Sequence, residues 1–249
     1  MLYSFMEDCV PEMMYWNGGR VGIAQPCRPH SLSSRNELLL TLVKLRLGSP
    51  YIDLAIRFGL STGTVSNIFT SWLSLLYRKF KVLDIWPSCM QVDNSMPPHF
   101  QQLYPSTRVI IDCTEFPIEK PSDPESQRST WSSYKNRNTF KLLLGINPAG
   151  AITFVSELYS GSVSDNELTL SCGILDQLEP GDSLMADKGF MIEDHCKERK
   201  IILNIPPFLG KDAQLSQEDM VKTRRIASVR VHVERAMERL KNFHELDFL

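Results

Sequence analysis

Three carboxylates stand where their types and spacing could do chemistry. Asp112 closes the apolar run Val109-Ile110-Ile111, and Asp187 closes a second short run in Met185-Ala186-Asp187-Lys188-Gly189-Phe190. Glu234 lies late in the chain, in Val233-Glu234-Arg235-Ala236-Met237. Short apolar or β-branched runs read as buried strands. An acid at the end of such a strand costs free energy unless a cation, a hydrogen-bond network or a metal compensates it. If the two strands are neighbours, both aspartates emerge at one sheet edge, and a helix packed there brings Glu234 to them. Three carboxylates so close repel one another, and a divalent cation removes that conflict. Oxygen-only donors suit Mg²⁺ or Mn²⁺ rather than zinc. Two such ions ~4 Å apart activate a water or a DNA 3′-hydroxyl and stabilise the leaving oxygen of an in-line phosphoryl displacement. Asp112, Asp187 and Glu234 are therefore the candidate catalytic and metal-ligating residues.

Each acid has a plainer reading. Asp112 alone fits a buried carboxylate hydrogen-bonded to a turn, and Asp187 a polar strand end. Glu234 alone fits an i,i+4 surface pair with Arg230. The joint placement on two strand ends and one late helix favours the metal site. Asp165 opens a helix, where the dipole explains an acid well enough; it is assigned a structural or supporting place. Arg230 and His232 lie just upstream of Glu234, within reach of phosphate or of the nearby carboxylates.

The elements that must position these groups follow a simple order. Residues 1–33, rich in Gly and Pro, read as an irregular leader. Ser34-Arg35-Asn36-Glu37 reads as a capping box opening a helix that ends at Gly48. A short helix to Phe58, a turn at Gly59 and a helix capped by Ser61 complete a helix-turn-helix over 34–86. Counted from Tyr51, small Ala55 is fifth, Gly59 ninth and Val65 fifteenth. Those positions need close helix approach, a positive φ and a wedge between helices. Thr62, Thr64, Ser66, Asn67 and Thr70 then face outward, as short polar groups suited to phosphates or base edges. Residues 35–81 carry seven cations, Arg35, Lys44, Arg46, Arg57, Arg78, Lys79 and Lys81, against Glu37 and Asp53. Lys44, Arg46 and Arg57 are the expected phosphate contacts.

Prolines 87, 97, 98 and 105 mark 87–106 as a linker. From 107 to 249 the pattern is mixed: strand, hairpin at Asn147-Pro148-Ala149-Gly150, helix capped at Ser164, strand to Ala186, helix, strand and a long last helix. Ile226, Val229, Val233, Met237 and Leu240 form its stripe. This order predicts an α/β domain, a mixed sheet with helices on both faces. Between 126 and 156 stand Arg128, Lys135, Arg137 and Lys141 with no acid. Trp131 and Tyr134 lie among them. Cations interleaved with aromatics hold a nucleic-acid strand by phosphate contact and stacking; the plainer reading is a loop whose aromatics are core.

Over 249 residues the formal net charge is −2, so nucleic-acid binding must come from local patches. None of the six cysteines forms a C-x-x-C pair, which argues against a zinc finger and for reduced thiols in cytosol or nucleus. No stretch approaches the ~20 apolar residues of a membrane span.

In these segments the chain resembles the DDE-superfamily nucleases of Harbinger-type transposases, a group often fused to THAP zinc fingers. The likeness runs from about Leu32 to Leu246. It is carried by the helix from Leu38 to Gly48 through Val65-Ser66, by Ile111-Asp112-Cys113-Thr114-Glu115-Phe116 and by Trp131-Ser132-Ser133-Tyr134-Lys135. Gly161-Ser162-Val163-Ser164-Asp165, Met185 to Phe190 and His232-Val233-Glu234-Arg235 complete it. The resemblance implies an RNase H-like fold with Asp112, Asp187 and Glu234 as the catalytic triad. It implies DNA strand cleavage and transfer with Mg²⁺ or Mn²⁺, and work in the nucleus. The partners to expect are DNA, a second copy of the chain and a separate DNA-binding protein. Only eight residues follow Lys241, fewer than relatives usually carry, so a C-terminally shortened copy is expected. A domesticated, non-catalytic DNA-binding derivative is the alternative.

Overall fold

The computed structural model describes residues 2–16, 32–207 and 217–248. The chain divides into two compact units, Met1–Asp84 with Asn242–Phe248, and Ile85–Lys241.

The first unit is helical: α1 (Leu2–Met6), α2 (Ser34–Leu47), α3 (Tyr51–Phe58) and α4 (Thr62–Lys81). Gly48 and Gly59 end α2 and α3 at φ of 61° and 65°, conformations that cost a residue with a Cβ. Ser61 caps α4 by accepting from Thr64 N–H at 3.1 Å. Ala55 and Val65 are buried between the helices as the spacing requires, together with Leu54, Ile68 and Trp72. The start of α2 corrects the sequence reading. Its cap is Ser33, accepting from Asn36 N–H, not Ser34. Glu37 does not reach back to the cap because it is buried at 1% exposure, where Tyr15 Oη and Trp72 Nε1 both donate to its Oε2. Met6 and Met13 enter the same core, so the described part of 1–33 is packed structure; residues 17–31 lie outside the description.

The second unit opens with α5 (Cys89–Ser95) and α6 (Pro98–Leu103), in the stretch expected to be a linker. Ser88 and Gln91 form a capping box, Pro98 takes a first-turn position, and Val92, Met96 and Phe100 are buried. Proline here starts a helix instead of breaking one. There follow β1 (Thr107–Pro117), α7 (Pro124–Thr130), β2 (Trp131–Ser132), β3 (Arg137–Ile146), β4 (Ile152–Val155), β5 (Tyr159–Ser160) and α8 (Asp165–Ser171). After them come β6 (Ser183–Met185), α9 (Glu193–Glu198), β7 (Ile202–Asn204) and α10 (Gln217–Lys241). The sheet runs β2-β3-β1-β6-β7, with β4 and β5 also paired to β3. β3 is antiparallel to β1, and β6 and β7 continue from β1 in parallel. This mixed, curled sheet with helices on its faces is an RNase H-like fold, preceded by a helix-turn-helix unit.

Both faces of the sheet are covered, so β1 reads as one apolar run yet sorts its side chains by the two-residue period of a strand. Val109 and Ile111 join Leu143, Leu184 and Ala186 in a core with Leu168 of α8. Ile110 joins Leu144, Ile146 and Met185 in the opposite core with Ile226, Val233 and Met237 of α10. These three belong to the expected stripe; the side chain of Val229 lies outside the description.

Candidate active site

Ile110 pairs with Met185 in the parallel β1/β6 ladder. Two residues further on stand Asp112, still within β1, and Asp187, just past the end of β6. They fall on the face of Ile110 and Met185, the one covered by α10. The expectation that Asp112 ends its strand is corrected: β1 continues along β3 to Pro117. The edge that matters belongs to β6, which stops at Met185 and leaves β1 without a partner on that side.

Arg230 of α10 completes this arrangement. Its Nη1 lies 2.9 Å from Asp187 Oδ1, and its Nη2 lies 3.9 Å from Asp112 Oδ2. The arginine side chain is 11% exposed, against 27% for Asp112 and 52% for Asp187. Asp112 Oδ1 accepts from Cys113 N–H, and Asp187 Oδ1 from Lys188 N–H. Burial raises the Asp112 carboxyl above the usual carboxylate range; Arg230 and the Cys113 amide oppose this, while Asp187 and Asp165 reinforce it.

Glu234 lies one helical turn beyond Arg230 and is exposed. Among the described residues its carboxylate joins no ion pair, with Arg230 or any other cation, and no three His, Cys, Asp or Glu side chains converge as a metal-binding group. The aspartates are thus brought together, and Glu234 is not brought to them. Arg230, expected only near the site, occupies the space between the carboxylates. Its spacing from Glu234 showed that the two share a helix face; which one meets the sheet is decided by the packing of α10 on Ile110 and Met185. A hard divalent cation fits this donor set, since two oxygen ligands in register already share one positive charge.

The remaining residues separate cleanly. Asp165 lies across the sheet, where Lys141 Nζ donates to its Oδ1 at 2.9 Å and to Val163 O at 2.8 Å. Glu115 Oε1 is 3.7 Å from the same Nζ. Lys141, expected to contact DNA, is instead buried and spent on these groups. The sequence signal for this pairing is the antiparallel register that sets Glu115 opposite Lys141. His232 sits against Phe100, and burial followed by Arg235 lowers its pKa.

Arg128, Lys135 and Arg137 are exposed around β2 and β3. Trp131 is 45% and Tyr134 82% exposed, and Lys135 Nζ lies 4.7 Å from the centre of the Tyr134 ring. These aromatics are surface, not core. In the helical unit Thr62 is exposed, while Thr64, Ser66 and Asn67 are half-buried on α4. Arg57 is exposed and pairs with Asp53 at 2.8 Å. Arg46 is exposed and stacks its guanidinium over Phe243 at 5.6 Å. Lys44 corrects another expectation: it is buried, paired with Glu245 and set over the Tyr51 ring. Among the described residues no helix is long and apolar enough to cross a membrane.

Comparison with known proteins agrees with this architecture. The family described as DDE superfamily endonuclease matches residues 111–247, more than half of the chain. The family described as helix-turn-helix of DDE superfamily endonuclease matches residues 30–81. No curated protein and no solved structure matches. With most of its sheet, both aspartates and helices α2 to α4 inside those matches, the chain belongs to the DDE superfamily endonucleases.

Proposed function

We propose that the protein is a metal-dependent DNA endonuclease of the Harbinger transposase type, which cleaves phosphodiesters and transfers strands. The observation that carries this is the in-register pair Asp112 and Asp187, sharing one cation on one face of the sheet. Members of this superfamily generally use divalent metal ions, and Mg²⁺ or Mn²⁺ suits carboxylate oxygens here. Asp112 would hold the metal with the carboxylate that the Cys113 amide already orients. Asp187 would share it, and Glu234, which stands apart from the pair in this structure, would have to be brought to it from α10. When bound, the metal supplies the positive charge that activates a water or 3′-hydroxyl and stabilises the leaving oxygen.

The β2/β3 end of the same sheet carries a surface that suits a polyanion. Trp131 and Tyr134 offer stacking faces, and Arg128, Lys135 and Arg137 offer phosphate contacts. Thr62, Thr64, Ser66, Asn67, Arg46 and Arg57 of the helix-turn-helix are the second DNA contact, and a second copy of the chain and a separate DNA-binding protein are the further partners. The test is cleavage of DNA carrying candidate element ends in Mg²⁺ or Mn²⁺, with Asp112→Asn beside wild type. Loss of cutting with retained DNA binding is expected. Equal cutting by both proteins would sink the catalytic assignment.

A further inference from the structure

We propose that Arg230 is an exchangeable counter-ion for the aspartate pair. It holds Asp112 and Asp187 together when no divalent cation is bound, and it competes with that cation for them. This rests on the reading of both aspartates as metal ligands.

Three features of the contact support exchange. The guanidinium grips unequally, at 2.9 Å to Asp187 and 3.9 Å to Asp112, so the bidentate fork that would lock an arginine in place is not formed. Its Nε is buried without a hydrogen-bond partner, which leaves the head group short of full satisfaction. The firmer of the two carboxylates, Asp187, is also the more exposed, so water and dissolved cations reach the contact from its side. Arginine keeps its charge throughout the working pH range. The pair therefore cannot be freed by proton loss from Arg230; another cation must replace it.

Competition has a thermodynamic signature. A site held by its own counter-ion binds a ligand more weakly, in proportion to the fraction of time it is open. Mn²⁺ alone, titrated into the full chain at fixed ionic strength by calorimetry, measures this without any turnover. Wild type, Arg230→Gln, Arg230→Lys and Asp112→Asn are compared. Arg230→Gln is expected to bind Mn²⁺ about fivefold tighter or more, the lower end of ordinary coupling between sites. Arg230→Lys, which keeps the charge without the fork, should fall between it and wild type. In parallel melts, Mn²⁺ should raise the unfolding temperature of Arg230→Gln more than that of wild type. Equal or weaker Mn²⁺ binding by Arg230→Gln overturns the counter-ion role. If Asp112→Asn still abolishes binding in that case, the metal site itself stands. Should Asp112→Asn bind as tightly as wild type, the metal reading fails and the exchange with it.

Discussion

Lys141 donates to Asp165 across 2.9 Å on the sheet face opposite Arg230, and so ties β3 to the first turn of α8. Lys141→Met would leave the largely buried Glu115 without its cation and the Val163 carbonyl without its donor. Breaking a fully buried pair costs about 3–5 kcal/mol. Asp165 is 39% exposed, so a loss of about 2–3 kcal/mol is expected after that discount. The urea midpoint should fall with the m-value unchanged.

Gly161 carries a second prediction. A Cβ there would meet Thr139 Oγ1 at 2.1 Å and the carbonyls of Thr130 and Thr139 at 2.7 and 2.8 Å. Two of those three atoms are backbone and cannot rotate away. Gly161→Ala is expected to destabilise by about 2–4 kcal/mol through overpacking, visible as a large drop in melting temperature. Gly161→Ala as stable as wild type would contradict a close approach of this backbone to Thr130 and Thr139.

The Asp112 carboxyl predicts a pH dependence. Its native pKa is raised, chiefly by burial, so between the ordinary value of 3.8 and the raised one the folded state binds more protons than the unfolded state. Stability contributed by this group is therefore present at low pH and lost as pH rises through the native pKa. Asp112→Asn escapes that loss. With metal chelated, the melting temperatures of the two proteins should be similar near pH 4. The variant should gain on wild type as pH rises from there. A constant gap across pH would contradict the buried-acid account.

Salt dependence tests the surface around Tyr134. Lys135→Gln with Arg137→Gln removes two exposed cations, and the slope of log K for DNA against log salt should flatten by about 1.4–1.8. Tyr134→Ala should weaken single-stranded DNA by about 1–3 kcal/mol without changing that slope. An unaltered slope in the double variant would remove this surface from the DNA path.

Much of the active-site sheet was legible, because apolar runs ending on Asp112 and near Asp187 are local signals. Their shared face was not, since a run buried on both sides hides the two-residue alternation. Lys44 and Lys141 show a different limit. A count of cations cannot see Glu245 closing on Lys44 from the far end of the chain, or Asp165 crossing to Lys141. Arg230 was legible as a neighbour of Glu234, but its place between two carboxylates depends on three separate elements. Helices α5 and α6 could have been found: Ser88 and Gln91 have capping-box spacing, and Val92, Met96 and Phe100 recur every four residues.

The pleat of β1 makes residue parity a chemical address. Asp112 meets the arginine of α10; Glu115, three places on and of opposite parity, meets Lys141 of β3 on the face that α8 covers. Deleting Ile111 alone would turn each acid to the wrong face of the sheet while leaving every acid and cation of the strand in place. The segment should therefore accept conservative exchanges at its apolar positions, yet fail on any odd-numbered insertion or deletion. Its information is held in phase as much as in residue type.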